Sequence, residues 1–512
     1  MTGPSSVSKI GSIDDLVLRV EEHKAAGKRV VLCHGVFDLL HFGHIHHFEQ
    51  ARSLGDVLVV TATPDNYVNK GPHRPAFPQA VRAQMLASLE VVDFVAVNDW
   101  PTAVETLSKI RPHIYCKGSE YLHAQVDASE NLNPEIEMAE KLGIAVAYTQ
   151  DDVVFSSSEL LNRHFSPFST TTNAWLDRFR DCYAAEDLIR HLDALQQKRV
   201  IVVGEAIIDE YVYCATIGKS TKDPVLACQH LESEAFAGGS LAVANHLAGF
   251  CSEVTLVTYL GETDSNETFV RDILRSNVKP IFVKKEQSPT IKKLRYVDEY
   301  TGTKLLELYT MNDSPLTAKA VSHMVEALTK ELPNHDVAIV ADYGHGLMTR
   351  EVIDLICGHN GFLALNTQSN AGNRGFNPIS KYHRADYVCL ANHEIEMETR
   401  MRNAPLKDLL LDVAQRIEGD FFTVTRGADG SLHYSESTGY VSVPSFASHI
   451  VDRVGAGDAF LAVTSLLLSQ GAPWDLVGFI GNVAGAQAVS ELGNRSPIDK
   501  VSIGKNIISL LK

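Results

Sequence analysis

The sequence predicts an α/β protein in two parts: an N-terminal doubly wound parallel sheet and a larger C-terminal α/β domain with a small β lid. Three observations carry this. Short apolar runs alternate with helix-length segments, the pattern of parallel sheets covered on both faces. A polar, β-branched break, Ser166-Pro167-Phe168-Ser169-Thr170-Thr171-Thr172-Asn173, interrupts the alternation. Glycine-containing and charged loops follow directly on apolar runs, where open α/β sheets place their ligands.

In chain order, residues 1–27 read as an N-terminal extension and residues 28–165 as the first domain. Its strands are predicted at 29–33, 56–62, 93–97, 113–116 and 144–148, with helices at 43–54, 79–90, 103–110 and 134–142 between them. Residues 166–197 read as a connector with an amphipathic helix. The second domain, 198–512, opens with a strand at 199–204 and continues through an extended Val-, Thr- and Tyr-rich stretch to Ala237, read as the lid. Later strands are predicted at 255–259, 336–341, 362–366, 387–390 and 421–425.

A chain of 512 residues exceeds one core and implies two or three domains. A net charge of −17 argues against nonspecific nucleic-acid binding and against an anionic membrane surface. The eight cysteines show no CxxC spacing and several sit in apolar runs, so they read as reduced core residues of a cytoplasmic protein. No stretch of eighteen apolar residues suggests a membrane span.

Two motifs carry chemistry. His41 and His44 open a predicted helix three residues apart, which sets both imidazoles on one face of its first turn beside unpaired N–H groups. Such a site suits a triphosphate whose leaving pyrophosphate gains charge. Farther on, Gly455-Ala456-Gly457-Asp458 runs into the apolar Ala459-Phe460-Leu461. The N–H groups of Gly455, Ala456 and Gly457 form a candidate anion hole, and Asp458 is the candidate base for an attacking hydroxyl. Paired Gly238 and Gly239 permit close backbone approach to a sugar, ahead of a helix containing Asn245, and Asp209 offers a carboxylate to hydroxyls.

The stretch from His34 through Gly35, Phe37, His41 and His44 is followed by Lys70-Gly71 with Arg74-Pro75, Lys117-Gly118-Ser119-Glu120-Tyr121 and Phe155-Ser156-Ser157-Ser158-Glu159. Together these resemble the cytidylyltransferase-like nucleotidyltransferases over residues 28–165. The resemblance implies attack of a sugar or polyol phosphate on the α-phosphorus of a nucleoside triphosphate. His41 and His44 then stabilise phosphates, Gly35 and Phe37 border the nucleotide, Lys70 and Lys117 supply cations, and Ser156, Ser157 and Ser158 hold phosphate at a helix start. Asp152-Val153-Val154-Phe155 stands where CTP-using members commonly carry an Arg-Thr pair, so ATP and CTP both stay open.

The second half, through Asp209-Glu210-Tyr211, Asp223-Pro224-Val225, Pro289 to Arg295, Asp342-Tyr343-Gly344 and the GAGD run, resembles the ribokinase-like (PfkB) carbohydrate kinases. Within them it is most similar to the kinase half of bifunctional heptose 7-phosphate kinase/heptose 1-phosphate nucleotidyltransferases, with the two domains in reverse order. The resemblance implies that Asp209, Gly238, Gly239 and Asn245 contact the sugar and that Thr425, Gly427 and Gly430 border ATP. It also implies that Arg295 meets a distal phosphate and that Glu394 or Glu396 serves a Mg²⁺ ion. Asn366-Thr367-Gln368 replaces an Asp-Pro-Lys, and Arg453-Val454 replaces a Thr-Thr pair.

The implied product is a nucleotide-activated sugar, an NDP-heptose, made by a transferase acting on small sugar phosphates. A homodimer pairing through the β lid is expected. Two rivals remain: a polyol-phosphate cytidylyltransferase joined to an unrelated sugar kinase, and a regulatory sugar- or nucleotide-binding protein with one inactive domain.

Overall fold

The computed structural model describes residues 6–68, 75–118, 132–149 and 168–511. The chain divides into two compact units, Met1–Pro167 and Phe168–Leu511.

In the first unit, β1 (Val30–Gly35), β2 (Val57–Ala62), β3 (Phe94–Val97), β4 (Ile114–Lys117) and β5 (Ala145–Tyr148) form one sheet in the order β3-β2-β1-β4-β5. Every pairing is parallel. The chain steps outward from β1 to β3 and then returns to lay β4 against the other side of β1. The crevice outside the carboxyl ends of β1 and β4 is therefore where the strand order reverses, and ligands bind there in open sheets. Val31, Cys33, Leu58 and Val60 enter one core layer with Phe48 and Leu86. Val30, Leu32, Val59 and Tyr115 enter the other with Leu16 and Leu107. Burial on both faces is why these strands are apolar without alternation.

The helix Ile13–Ala25 lies in the segment expected to be an extension. Ser12 caps it reciprocally: Asp15 N donates to Ser12 Oγ at 3.1 Å and Ser12 N donates to the Asp15 carboxylate at 2.9 Å. Its Ile13, Leu16 and Val20 are buried in the second core layer, so this helix covers the first sheet.

The second unit contains β6 (Arg199–Gly204), β7 (Ala206–Lys219), β8 (Leu226–Gly239), β9 (Glu253–Gly261), β10 (Val278–Lys285), β11 (Ile291–Asp298) and β12 (Lys304–Thr310). It continues with β13 (Val337–Asp342), β14 (Phe362–Thr367), β15 (Tyr387–Ala391), β16 (Phe421–Thr425), β17 (Ser431–Ser435) and β18 (Gly439–Val443). The main sheet runs β10-β9-β6-β13-β14-β15-β16-β17-β18, parallel as far as β16 and antiparallel beyond. A separate sheet, β12-β11-β7-β8, is the lid. The lid is larger than the sequence suggests, because β11 and β12 are dense in Lys, Arg and Glu and carry a weak strand signal.

Residues expected as a connector also belong to this unit. The helices Thr170–Cys182 and Ala185–Ala194 bury Leu176, Phe179, Leu188 and Leu192 in its core, with the Phe179 ring stacked on Phe479 at 4.5 Å between centroids. The helices Ser240–Leu247, Ala456–Leu468 and Trp474–Ala488 are apolar nearly all round and pack in the interior. Among the described residues, no helix is long and apolar enough to cross a membrane. None of the eight cysteines, all among the described residues, forms a disulfide.

Candidate active sites

The first site forms at the carboxyl end of β1. Phe37 takes a left-handed conformation, φ 49°, rare for a residue with a side chain, and this reversal turns the chain from the strand toward the helix Phe42–Ser53. The Phe37 ring meets His44 edge-on at 5.5 Å and packs on Phe48 at 5.1 Å. His41 is the helix cap: its Nδ1 accepts from Gly43 N at 3.1 Å. The rings of His41 and His44 lie 4.0 Å apart, centroid to centroid, so the expected pairing on the first turn is present. Gly35 sits two residues before Phe37, and a Cβ there would come 3.0 Å from the Phe37 ring.

His34, on the same strand, bonds Thr61 Oγ1 through Nδ1 at 2.9 Å. Burial, helped by the Lys117 charge, pushes its imidazole down to about 4, so it is neutral at pH 7. Lys117 differs from expectation. Its Nζ is 2.9 Å from Glu135 Oε2, and the pair is buried. Burial opposes ionisation of Glu135, yet Lys117 and backbone donation from Ala103 hold its carboxyl below the usual range. The Lys117 charge is thus compensated within the protein, and its direct effect on a bound triphosphate is reduced. Lys70, Ser156, Ser157 and Ser158 lie outside the described residues.

Arg82, which belongs to no sequence motif, is fully buried on the helix Gln79–Ala87. It donates to Val36 O at 2.5 Å, Thr63 O at 2.8 Å, Phe77 O at 3.0 Å and Asp65 Oδ1 at 2.6 Å. One guanidinium therefore ties the loop after β1 to the loop after β2.

In the second unit, Gly455 caps the helix Ala456–Leu468 with φ 85°. A Cβ at Gly455 would fall 1.9 Å from Asn494 Oδ1, so only glycine fits. Asp458, on the first turn, accepts from the Tyr343 hydroxyl at 2.8 Å. Burial pushes its carboxyl up to about 7; the Tyr343 hydrogen bond opposes this, Asp209 adds to it, and Lys293 opposes it. A base poised near neutrality suits proton abstraction from an alcohol.

Tyr343 is itself fixed from both sides. Its N–H donates to Glu205 at 2.9 Å, and Glu205 also accepts from His345 N at 3.0 Å and Leu347 N at 3.4 Å. Burial and the nearby Asp342 push the Glu205 carboxyl up to about 7. The Tyr343 carbonyl accepts from Asn370 and Asn373, both at 2.8 Å. The polar loop 366–375 thus supports the hydroxyl that holds Asp458. Within it, Asn366 donates to Cys389 O at 2.8 Å and Gln368 N donates to Asp342 O at 2.8 Å.

Asp209 lies on β7, buried, opposite Phe236 of β8 and diagonal to Gly238; a Cβ at Gly238 would sit 2.4 Å from its Oδ2. Gly239 follows and caps the helix Ser240–Leu247. Arg295 is held by carboxylates of the lid. It pairs with Asp209 and, through Nε at 3.1 Å, with Glu307, so it is the counter-ion of two carboxylates inside the lid. Lys293, two residues earlier on the same strand, is buried with its Nζ 5.3 Å from the Tyr309 ring centroid. Its charge acts on Asp458 and Asp209 alike. Asn245 donates to Ile273 O at 3.0 Å and accepts from Arg275 N at 2.9 Å, which anchors a loop from within a fully buried helix.

Thr425 ends β16, and Gly427 and Gly430 frame the turn after it, closed by Arg426 N to Gly430 O at 2.7 Å. Both Glu394 carboxylate oxygens accept backbone N–H groups, from Ser369 at 3.0 Å and Ala391 at 2.7 Å. This carboxylate stitches the loop after β14 to the helix Asn392–Thr399 and is not presented as a free metal ligand. Glu396 is half-buried on the same helix.

The profile of the pfkB family carbohydrate kinases matches residues 197–501, and the cytidylyltransferase-like profile matches residues 32–163. Among curated relatives, the Bifunctional protein HldE of Rhodopseudomonas palustris (strain BisA53) is 27% identical over 315 residues, 59% of this chain and 62% of that protein. The Bifunctional protein HldE of Pelobacter propionicus is 42% identical over 118 residues, 23% of this chain and 24% of its own length. The matches to these relatives thus cover less than two thirds of their lengths. Phosphofructokinase-2 from Escherichia coli, solved in complex with potassium, superposes on 62% of this chain and 100% of its own at 16% identity and TM-score 0.50, a likeness of fold. The chain belongs to the pfkB family of carbohydrate kinases.

Proposed function

We propose that this pfkB-family chain is a bifunctional transferase that makes a nucleotide-activated heptose. In the second unit a sugar hydroxyl gives its proton to Asp458 and attacks the γ-phosphorus of ATP. The bond from that phosphorus to the β,γ-bridging oxygen breaks, and ADP leaves. The acceptor is the anomeric hydroxyl of a heptose phosphate, oriented by Asp209. The N–H groups of Gly455, Ala456 and Gly457 face the transferring phosphoryl, and Lys293 supplies a cation, Arg295 being paired with Asp209 and Glu307. Thr425, Gly427 and Gly430 border the nucleotide. In the first unit an oxygen of a sugar 1-phosphate attacks the α-phosphorus of a nucleoside triphosphate, and pyrophosphate leaves past His41 and His44.

The observation that carries this reading is the placement of Asp458. It lies on the first turn of a glycine-capped helix, with Tyr343 on its carboxylate and burial raising its proton affinity toward neutrality. ATP is the proposed donor in both units, since residues 152–155 lack the Arg-Thr pair of CTP-using relatives. Mg²⁺ would bind with the triphosphates and offset their charge. Glu394, with both oxygens on backbone N–H groups, fits contact through water. The chain acts in the cytoplasm as a homodimer through the lid, whose Ile217, Leu226, Leu231, Leu306 and Leu308 are exposed. Two assays test the proposal: mass detection of a heptose bisphosphate from heptose 7-phosphate and ATP, and pyrophosphate release from heptose 1-phosphate with ATP and CTP in parallel.

A further inference from the structure

Cys33 and Cys116 are register partners on the adjacent parallel strands β1 and β4. Their side chains enter the same core layer, beside Phe48 of the helix Phe42–Ser53. His47, on that helix, completes a cluster in which the two Sγ atoms and one imidazole nitrogen all lie within 4.8 Å of one another. The cysteines are 0% and 1% exposed and His47 is 9% exposed. Thr149 Oγ1 bonds His47 Nδ1 at 2.9 Å, which fixes the orientation of the ring. Parallel strands ordinarily fill such positions with Val or Ile. Two sulfurs and an oriented imidazole in an apolar layer are instead the donor set of a soft metal ion.

We propose that Cys33, Cys116 and His47 bind one thiophilic d¹⁰ cation, Zn²⁺ or Cu⁺, beneath the first-unit active site. Metal–sulfur bonds of about 2.3 Å and metal–nitrogen bonds of about 2.0–2.1 Å place donor atoms roughly 3.5–4 Å apart, so the cluster needs only a small contraction. Coordination releases both thiol protons to solvent. Cu⁺ is satisfied by the three side chains, and Zn²⁺ takes a fourth ligand such as water. The ion acts on the neighbouring site through the chain. Cys33 precedes His34, Cys116 precedes Lys117, and His47 lies one helical turn from His44. A single ion therefore cross-links the three elements that carry His34, His44 and Lys117, with Thr149 as the residue that positions the imidazole.

The test uses the full chain, purified under reductant from Zn²⁺-supplemented and copper-supplemented cultures, with bound metal measured elementally after gel filtration. The expected result is about one equivalent of one of the two ions per chain. It falls at least about tenfold in Cys33→Val/Cys116→Val and in His47→Gln, and about tenfold in Thr149→Val. Far-ultraviolet circular dichroism of the variants stays unchanged, and Co²⁺-loaded wild type shows a thiolate-to-metal charge-transfer band that the double variant lacks. Absence of metal and of that band in the folded wild type overturns the proposal. So does an equivalent of metal that persists in the folded double variant, or a Cys33–Cys116 disulfide in the unreduced protein.

Discussion

The Tyr343 hydroxyl donates to Asp458 across 2.8 Å, and this contact opposes the burial that raises the carboxyl of the group proposed to take the acceptor's proton. Hydrogen bonding to the charged form favours it, while burial disfavours it. The balance leaves the carboxyl at about 7.

Tyr343→Phe removes the opposing contribution, so the Asp458 carboxyl rises further. Hydrogen bonds to charged groups contribute about 1.5–3 kcal/mol, or roughly one to two pH units. The acid limb of the phosphorylation kcat/KM profile is expected to move upward by that amount. A pH–rate series checks it; an unmoved limb separates Tyr343 from the base.

Asp458→Asn is expected to lower ATP turnover by about 10²–10⁴-fold and leave pyrophosphate release intact. The same substitution has a stability signature. A carboxyl raised in the folded state loses stability as pH rises from its unfolded value toward its folded value, because the unfolded chain then ionises first. Asn has no such cost, so the variant is expected to melt higher than wild type at pH 8 and show no gain at pH 4. The effect is on the order of 2–4 kcal/mol at most. Calorimetry at the two pH values reads it.

His44→Ala is expected to lower pyrophosphate release by about 10²–10³-fold, as for a lost donor to developing charge, with ATP-dependent sugar phosphorylation unchanged. Paired assays on one preparation compare the two activities.

Arg82→Ala strips four hydrogen bonds from a buried cation and leaves Asp65 and three carbonyls without it. A loss of about 3–5 kcal/mol is expected, confined to the unfolding transition of the first unit. Denaturant melts followed by limited proteolysis resolve the two units.

The sheets were legible because parallel strands buried on both faces leave apolar runs, and the motifs were legible because they stand at the ends of those runs. His41 with His44 and Asp458 with Gly455 needed only neighbours in sequence. Partners distant in sequence were not legible. Glu135 takes Lys117, Asp209 and Glu307 take Arg295, and Ile273 with Arg275 takes Asn245. Glu205 follows β6 directly yet carries no signal in the sequence, since its role is to accept N–H groups from Tyr343, His345 and Leu347. Arg82 resembles any helical arginine until the two loops close around it. The cysteine cluster joins residues 33, 47 and 116, a spacing that no local motif reveals.

The most direct measurement is mass spectrometry of heptose 7-phosphate and ATP incubated with wild type, His44→Ala and Asp458→Asn in parallel. Wild type and His44→Ala are predicted to form the heptose 1,7-bisphosphate, and Asp458→Asn to leave the substrate unconverted. Bisphosphate formation by Asp458→Asn at the wild-type rate, or its absence with wild type, contradicts the account.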